Sequence, residues 1–99
     1  MKYLEKESEF NELIKKDLVL VDFYAEWCGP CQMMAKELEE LAKENKELEI
    51  VKVDIDKFNE LAEKHFIMLV PTLKVYKKGE ETNKSTGYLT KDEIKNLLV

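Results

Sequence analysis

The run Val19-Leu20-Val21-Asp22-Phe23-Tyr24-Ala25-Glu26-Trp27-Cys28-Gly29-Pro30-Cys31 decides the architecture of this chain. Its first half is apolar and β-branched at nearly every position, the pattern of a strand covered on both faces. Its second half ends in two cysteines three residues apart. Beyond them Met34, Leu38, Leu41 and Ala42 recur at helical spacing, with lysines and glutamates filling the other side. An apolar strand therefore empties into a dithiol at the start of a helix. A disulfide between Cys28 and Cys31 closes so small a loop that it restricts the unfolded chain little. Its value is that it can be made and broken, and the setting suits reversible thiol–disulfide exchange. Structural zinc is disfavoured, because two thiols and the single histidine, His65, fall short of the four ligands of a closed site.

Working outward, Lys2-Tyr3-Leu4 predicts a short edge strand, and Ser8 caps a first helix whose apolar face is Phe10, Leu13 and Ile14. Leu18 to Tyr24 is the central strand, and Met33 to about Lys46 carries the longest helical pattern. Leu48 to Asp54 predicts a second strand of the core. A short helix built on Phe58, Leu61 and Ala62 ends near His65, whose cation suits the dipole there. After Pro71 come a strand from Thr72 to Tyr76, a turn at Lys78-Gly79-Glu80 and a strand from Thr82 to Thr86. Thr90 and Glu93 match a capping box before Ile94, Leu97 and Leu98. The order β-α-β-α-β-α-β-β-α predicts an α/β fold with a mixed sheet, helices on both faces and residues 1–99 as a single domain.

Charge and composition narrow the function. The chain has a formal net charge of −5, and all 16 of its basic residues are lysine. Without a basic stripe, or any arginine fork to grip phosphate or read guanine, a nucleic-acid partner is not expected. No apolar stretch approaches the roughly 20 residues that span a bilayer, and Met1 to Phe10 lacks the apolar centre of a secretory signal. No membrane association is expected, and the cytoplasm is the default compartment.

The segment Val19 to Cys31, the downstream Val70-Pro71-Thr72, and glycines at 79 and 87 together resemble the thioredoxin family from about residue 2 to 98. The resemblance implies a five-stranded sheet with four flanking helices and a monomeric protein disulfide reductase. It also implies no bound cofactor beyond a Cys28–Cys31 redox disulfide. Reducing equivalents would come from NADPH through a flavin-dependent thioredoxin reductase, and disulfide-containing proteins would be the substrates. Three features depart from the family: Tyr24 stands at a frequent tryptophan, Lys36 at a kinking proline, and His65-Phe66-Ile67-Met68-Leu69-Val70 at a Tyr-Gly-Ile-Arg-Gly-Ile-like run. These put partner range in question and leave the sulfur chemistry intact.

On this reading Cys28 is the nucleophile, at or just before the first helical turn, where free amides and the dipole favour a thiolate. Cys31, one turn further in, resolves the mixed disulfide. Gly29 lets the chain turn between the sulfurs, and Pro30 loses no needed amide near the helix start. Asp22 is costly to bury charged, so its pKa should be raised. The resemblance makes it a proton relay to Cys31, the alternative being a structural hydrogen-bonder. Lys52 either approaches that carboxylate, as in the family, or is a solvated residue on a strand. The family match makes the bond before Pro71 cis and turns the Val70 backbone toward an extended substrate. Trp27, Pro30, Val70, Gly87 and Tyr88 are candidates for an apolar docking rim, with Met33 beside them and Met34 in the core. Tyr88 fits equally well as a scattered surface aromatic. Two other functions stay open: a specialised reductant serving one partner system, motivated by Phe66, Met68 and Leu69, and a rigid binding subunit whose redox chemistry is incidental.

Overall fold

Val19–Tyr24 (β2) is the middle strand of a five-stranded sheet in the computed structural model, which describes residues 1–99. The sheet order is β1-β3-β2-β4-β5, with β1 at Lys2–Tyr3, β3 at Glu49–Asp54, β4 at Thr72–Lys77 and β5 at Glu80–Thr86. β1 and β2 each run parallel to β3, and β4 lies antiparallel to both β2 and β5. The helices are α1 at Phe10–Leu13, α2 at Gly29–Glu44, α3 at Asn59–Lys64 and α4 at Lys91–Leu97.

Alternation along β2 divides the core into two layers. Val19, Val21 and Phe23 pack with Phe10, Ile14, Phe58 and Leu61 from the side of α1 and α3. Leu20 points the other way, to Met34, Leu38 and Leu41 of α2 and Ile94 of α4. Asp22 shares the α2 face with Leu20, so the chain's central strand carries a carboxylate into an apolar layer. α2 continues unbroken through Lys36, where no proline removes an amide.

The expected order of elements holds, with corrections at several ends. Ser8 is not the cap of the first helix. It lies inside a 3-10 turn, Glu7–Glu9, whose opening amide at Lys6 donates to the Glu9 carboxylate at 3.1 Å, so the helical backbone begins earlier. α2 starts at Gly29, ahead of the apolar stripe, and stops at Glu44, short of Lys46. The hairpin turn is the two residues Lys78 and Gly79, both at positive φ (53° and 91°), and Glu80 already pairs with Lys77. The lysine–glutamate face of α2 is more than solvated decoration. Glu37 accepts from the Lys91 amide at 2.7 Å and Glu44 pairs with Lys91 and Lys95, which fastens α4.

His65 differs in charge as well as surroundings. Its ring packs 5.0 Å from Phe10 and 5.8 Å from Phe23, and burial, helped by the Lys74 ammonium, pulls its pKa below the usual value. The half-buried ring stands at the C-cap of α3, as expected, but its surroundings favour the neutral form over a cation there.

The end of α3 holds an unusual residue. The Phe66 amide donates to Glu63 and the Ile67 amide to Ala62, the pairing of a helix stop that favours glycine at its left-handed position. Phe66 occupies that position at φ 56°, with 80% of its surface exposed. A side chain there costs about 1–2 kcal/mol, part of which glycine returns through its freer unfolded chain. Phe66→Gly is therefore expected to raise stability by about 1 kcal/mol in urea unfolding. An unchanged or lower stability would mean that the exposed ring makes compensating contacts.

Candidate active site

The dithiol sits where β2 hands over to α2. Cys28 is the N-cap of α2, with its sulfur 3.2 Å from the Cys31 amide that donates to it, and the two cysteines are joined in a disulfide across a Cα separation of 5.3 Å. Pro30 falls in the first turn, where its missing amide has no intrahelical partner to lose. Both cysteines are buried, Cys28 at 5% exposure and Cys31 at 2%, so the expected difference in access keeps its order and is small. Gly29 differs from expectation: it is an exposed helical residue, and an added Cβ would meet nothing within 4 Å. No tight turn requires it. It leaves the surface beside the sulfurs low.

Over the sulfurs lies the loop that precedes β4. The Val70–Pro71 peptide bond is cis, as the resemblance implies, and the Val70 carbonyl oxygen is 3.8 Å from Cys28 Sγ. Val70 lies outside every strand and makes no backbone–backbone hydrogen bond, so its amide and carbonyl are free to pair with an incoming extended chain. Gly87, at φ 93°, donates its amide to the Pro71 carbonyl at 2.8 Å, which holds the loop after β5 beside the proline.

The rim is assembled only in part as expected. Trp27 and Val70 share an apolar pocket of about 240 Å³ with Ile55, Ile67, Met68 and Leu69. Pro30, Met33 and Tyr88 are exposed outside it, and Met34 is fully buried in the core. Sequence reasoning missed Asp56, which accepts from the Trp27 indole at 2.9 Å and fixes the ring. Its signal was available: Asp54-Ile55-Asp56 closes β3 at the same sheet edge as the end of β2, and Ile55 donates to the Tyr24 carbonyl.

Within β2 Asp22 is fully buried, and neither carboxylate oxygen has an aligned hydrogen-bond donor. Lys52, its register partner on β3, brings its ammonium to 3.3 Å from Oδ2 and acts as a charge more than as a directed hydrogen bond. Of the two readings of Lys52, the buried one is observed, at 3% exposure. Burial pushes the Asp22 carboxyl up to about 6, and the Lys52 charge restrains the rise.

A dithiol capping a helix beneath a cis-proline loop is one observation; comparison with known proteins supplies the other. The sequence profile of the thioredoxin family matches residues 2–99. The chain belongs to the thioredoxin family. It is 37% identical to the thioredoxin of Mycoplasmoides gallisepticum over 99 residues, covering 99% of each chain. It is 42% identical to that of Bacillus subtilis over 93 residues, covering 93% of this chain and 89% of the relative. A solved structure of Plasmodium falciparum thioredoxin superposes with a TM-score of 0.91 at 38% identity, covering 99% of this chain and 96% of the other. As a thioredoxin with an intact cysteine pair, the protein is a dithiol–disulfide oxidoreductase. Thioredoxins carry their electrons on that pair without a bound cofactor, and their partners are in general a reductase and disulfide-containing proteins. No helix is long and apolar enough to cross a membrane.

Proposed function

We propose that residues 1–99 act as one domain that reduces disulfides of cytoplasmic proteins, monomeric and recycled by a flavin-dependent reductase that draws on NADPH. The observation that carries this reading is the Cys28 sulfur at the α2 N-terminus, 3.8 Å from a Val70 backbone with no strand partner. A substrate segment pairs with Val70 as a short added strand and presents its disulfide to Cys28. The Cys28 thiolate attacks one substrate sulfur; a Cys28–substrate disulfide forms and the other substrate sulfur leaves as a thiolate, which takes up a proton. Cys31 then gives its proton to Asp22 and attacks the Cys28 sulfur. The substrate's second thiolate departs, the Cys28–Cys31 disulfide forms, and two electrons have passed to the substrate. Lys52 limits the cost of the Asp22 charge. Trp27, Gly29, Pro30, Val70, Pro71, Gly87 and Tyr88 form the docking surface. Capture of cell proteins on a Cys31→Ser variant tests the reading: disulfide-linked partners identified by mass spectrometry support it. Capture that survives replacement of both cysteines would instead favour a binding subunit.

One feature favours the specialised form of this function. Phe66, Met68 and Leu69 are all exposed, Met68 at 88%, on a chain that is 37% charged. Met68 and Leu69 line the pocket shared by Trp27 and Val70, and Phe66, just before them in the chain, is held in an unfavourable backbone conformation. Each buried methylene is worth about 0.8 kcal/mol, so a matching partner gains tenfold or more from a few such contacts. Normal reduction of a small-molecule disulfide with poor recycling by most of a panel of unrelated thioredoxin reductases is the result expected of a specialised protein. Uniform recycling by all of them would make it a general reductase.

A further inference from the structure

Asp22 and Lys52 have aromatic neighbours that neither the sulfur chemistry nor the docking surface uses. Register across the parallel strands places Tyr3, Lys52 and Asp22 in one row on one face, and Tyr24 lies two residues from Asp22 on that face. The Lys52 ammonium sits 4.5 Å from the Tyr24 ring centroid and 5.6 Å from that of Tyr3. The two rings meet edge to face, with centroids 6.2 Å apart. Tyr3, Tyr24 and Lys52 line a cleft of about 300 Å³ together with Glu26, Cys31 and Gln32, and it shares no residue with the pocket of Trp27, Val70 and Met68.

We propose that Tyr24, seconded by Tyr3, is a positioning residue for the proton step: the ring faces hold the Lys52 ammonium beside Asp22. A lysine has a long, freely rotating stem, and an ammonium next to an open cleft gains by turning toward water. Attraction to a ring face opposes that escape. The interaction needs neutral rings. Burial first, and then the Asp54 charge, push the Tyr24 hydroxyl up to about 12, so its ring stays neutral over the working range. The two-residue strand β1 thereby has a task, because it is what brings Tyr3 against Lys52.

The proposal rests on the reading of Asp22 as proton acceptor, and its test is independent of turnover. The measurement is a 13C NMR titration of the Asp22 carboxyl in the oxidised protein, where Cys31 is disulfide-bonded and does not titrate. The other titratable groups around the pair are Tyr3 on β1, Glu26 after β2 and Asp54 at the end of β3. Opening the cleft to water lowers the Asp22 midpoint by itself, and a Lys52→Met background measures that part alone. Tyr24→Leu is expected to raise the midpoint by about half a pH unit or more relative to the same substitution in Lys52→Met. Tyr24→Phe, which keeps the ring, is expected to restore the wild-type midpoint. Equal changes in the two backgrounds, or Phe behaving as Leu, would overturn the proposal. Should Tyr24→Leu not fold, Tyr3→Leu at the exposed edge is expected to give a smaller relative rise, and no rise there would overturn it too. Slow turnover of Asp22→Asn with no Tyr24 effect would reject the positioning role and leave the proton role standing.

Discussion

Cys28→Ser is expected to abolish reduction of protein disulfides, whereas Cys31→Ser is expected to attack once and stop at the mixed disulfide. The difference follows from position. The Cys28 sulfur caps α2, receives the Cys31 amide and lies next to the free Val70 backbone, so a substrate laid along Val70 meets it first. Cys31 is one helical turn deeper and almost without exposure. A serine hydroxyl is not ionised at neutral pH and does not open a disulfide, so the loss in Cys28→Ser should exceed a thousandfold, the order seen when a catalytic nucleophile is removed. Single-turnover measurements with a fluorescent disulfide peptide, followed by non-reducing electrophoresis, check both halves. Equal trapping by either single cysteine would show that the order of attack is wrong, since the exposure difference between the sulfurs is small.

Asp22→Asn is expected to flatten the pH dependence of stability and to slow turnover near neutral pH. A carboxyl that titrates near 6 in the folded chain and near 3.8 when unfolded has a raised folded pKa. Its stabilising contribution is therefore complete below about pH 4 and is lost as pH rises through about 6, an effect of about 3 kcal/mol. Asparagine has no such titration, so the variant should gain on the wild type between pH 4 and pH 7. The Lys52 charge is already contained in the folded value, since without it the Asp22 carboxyl would titrate higher still. Urea unfolding of the oxidised proteins at intervals over that range measures the difference. Parallel stability curves would show that Asp22 does not titrate there, and equal reduction rates across pH 6 to 9 would remove it from the mechanism.

Much of this was legible in the sequence because local and long-range signals agree around Cys28. The apolar run of β2, the proline in the first turn of α2 and the Thr90–Glu93 capping box each specify their own structure within a few residues. Lys52 was ambiguous for a physical reason. A lysine on a strand reads as exposed until the β1-β3-β2 order is known, and only that order sets it beside Asp22 and closes its far side with Tyr3. Phe66 gave no sign of positive φ, because the hydrogen bonds that end α3 override an unfavourable residue. His65 was misread because its aromatic neighbours, Phe10 and Phe23, come from α1 and β2. Asp56 was missed although Asp54-Ile55-Asp56 directly follows β3, because its partner Trp27 lies 29 residues away in sequence.

The central claim, that this cysteine pair runs in the reducing direction, is tested most directly by its equilibrium potential. The protein would be equilibrated in graded dithiothreitol buffers and its thiols counted after acid quench. Thioredoxins as a class lie near about −270 mV and protein disulfide isomerase near about −180 mV. A potential more negative than about −220 mV is the expected result. One less negative than that would contradict the reductase reading and place the protein among oxidants or isomerases.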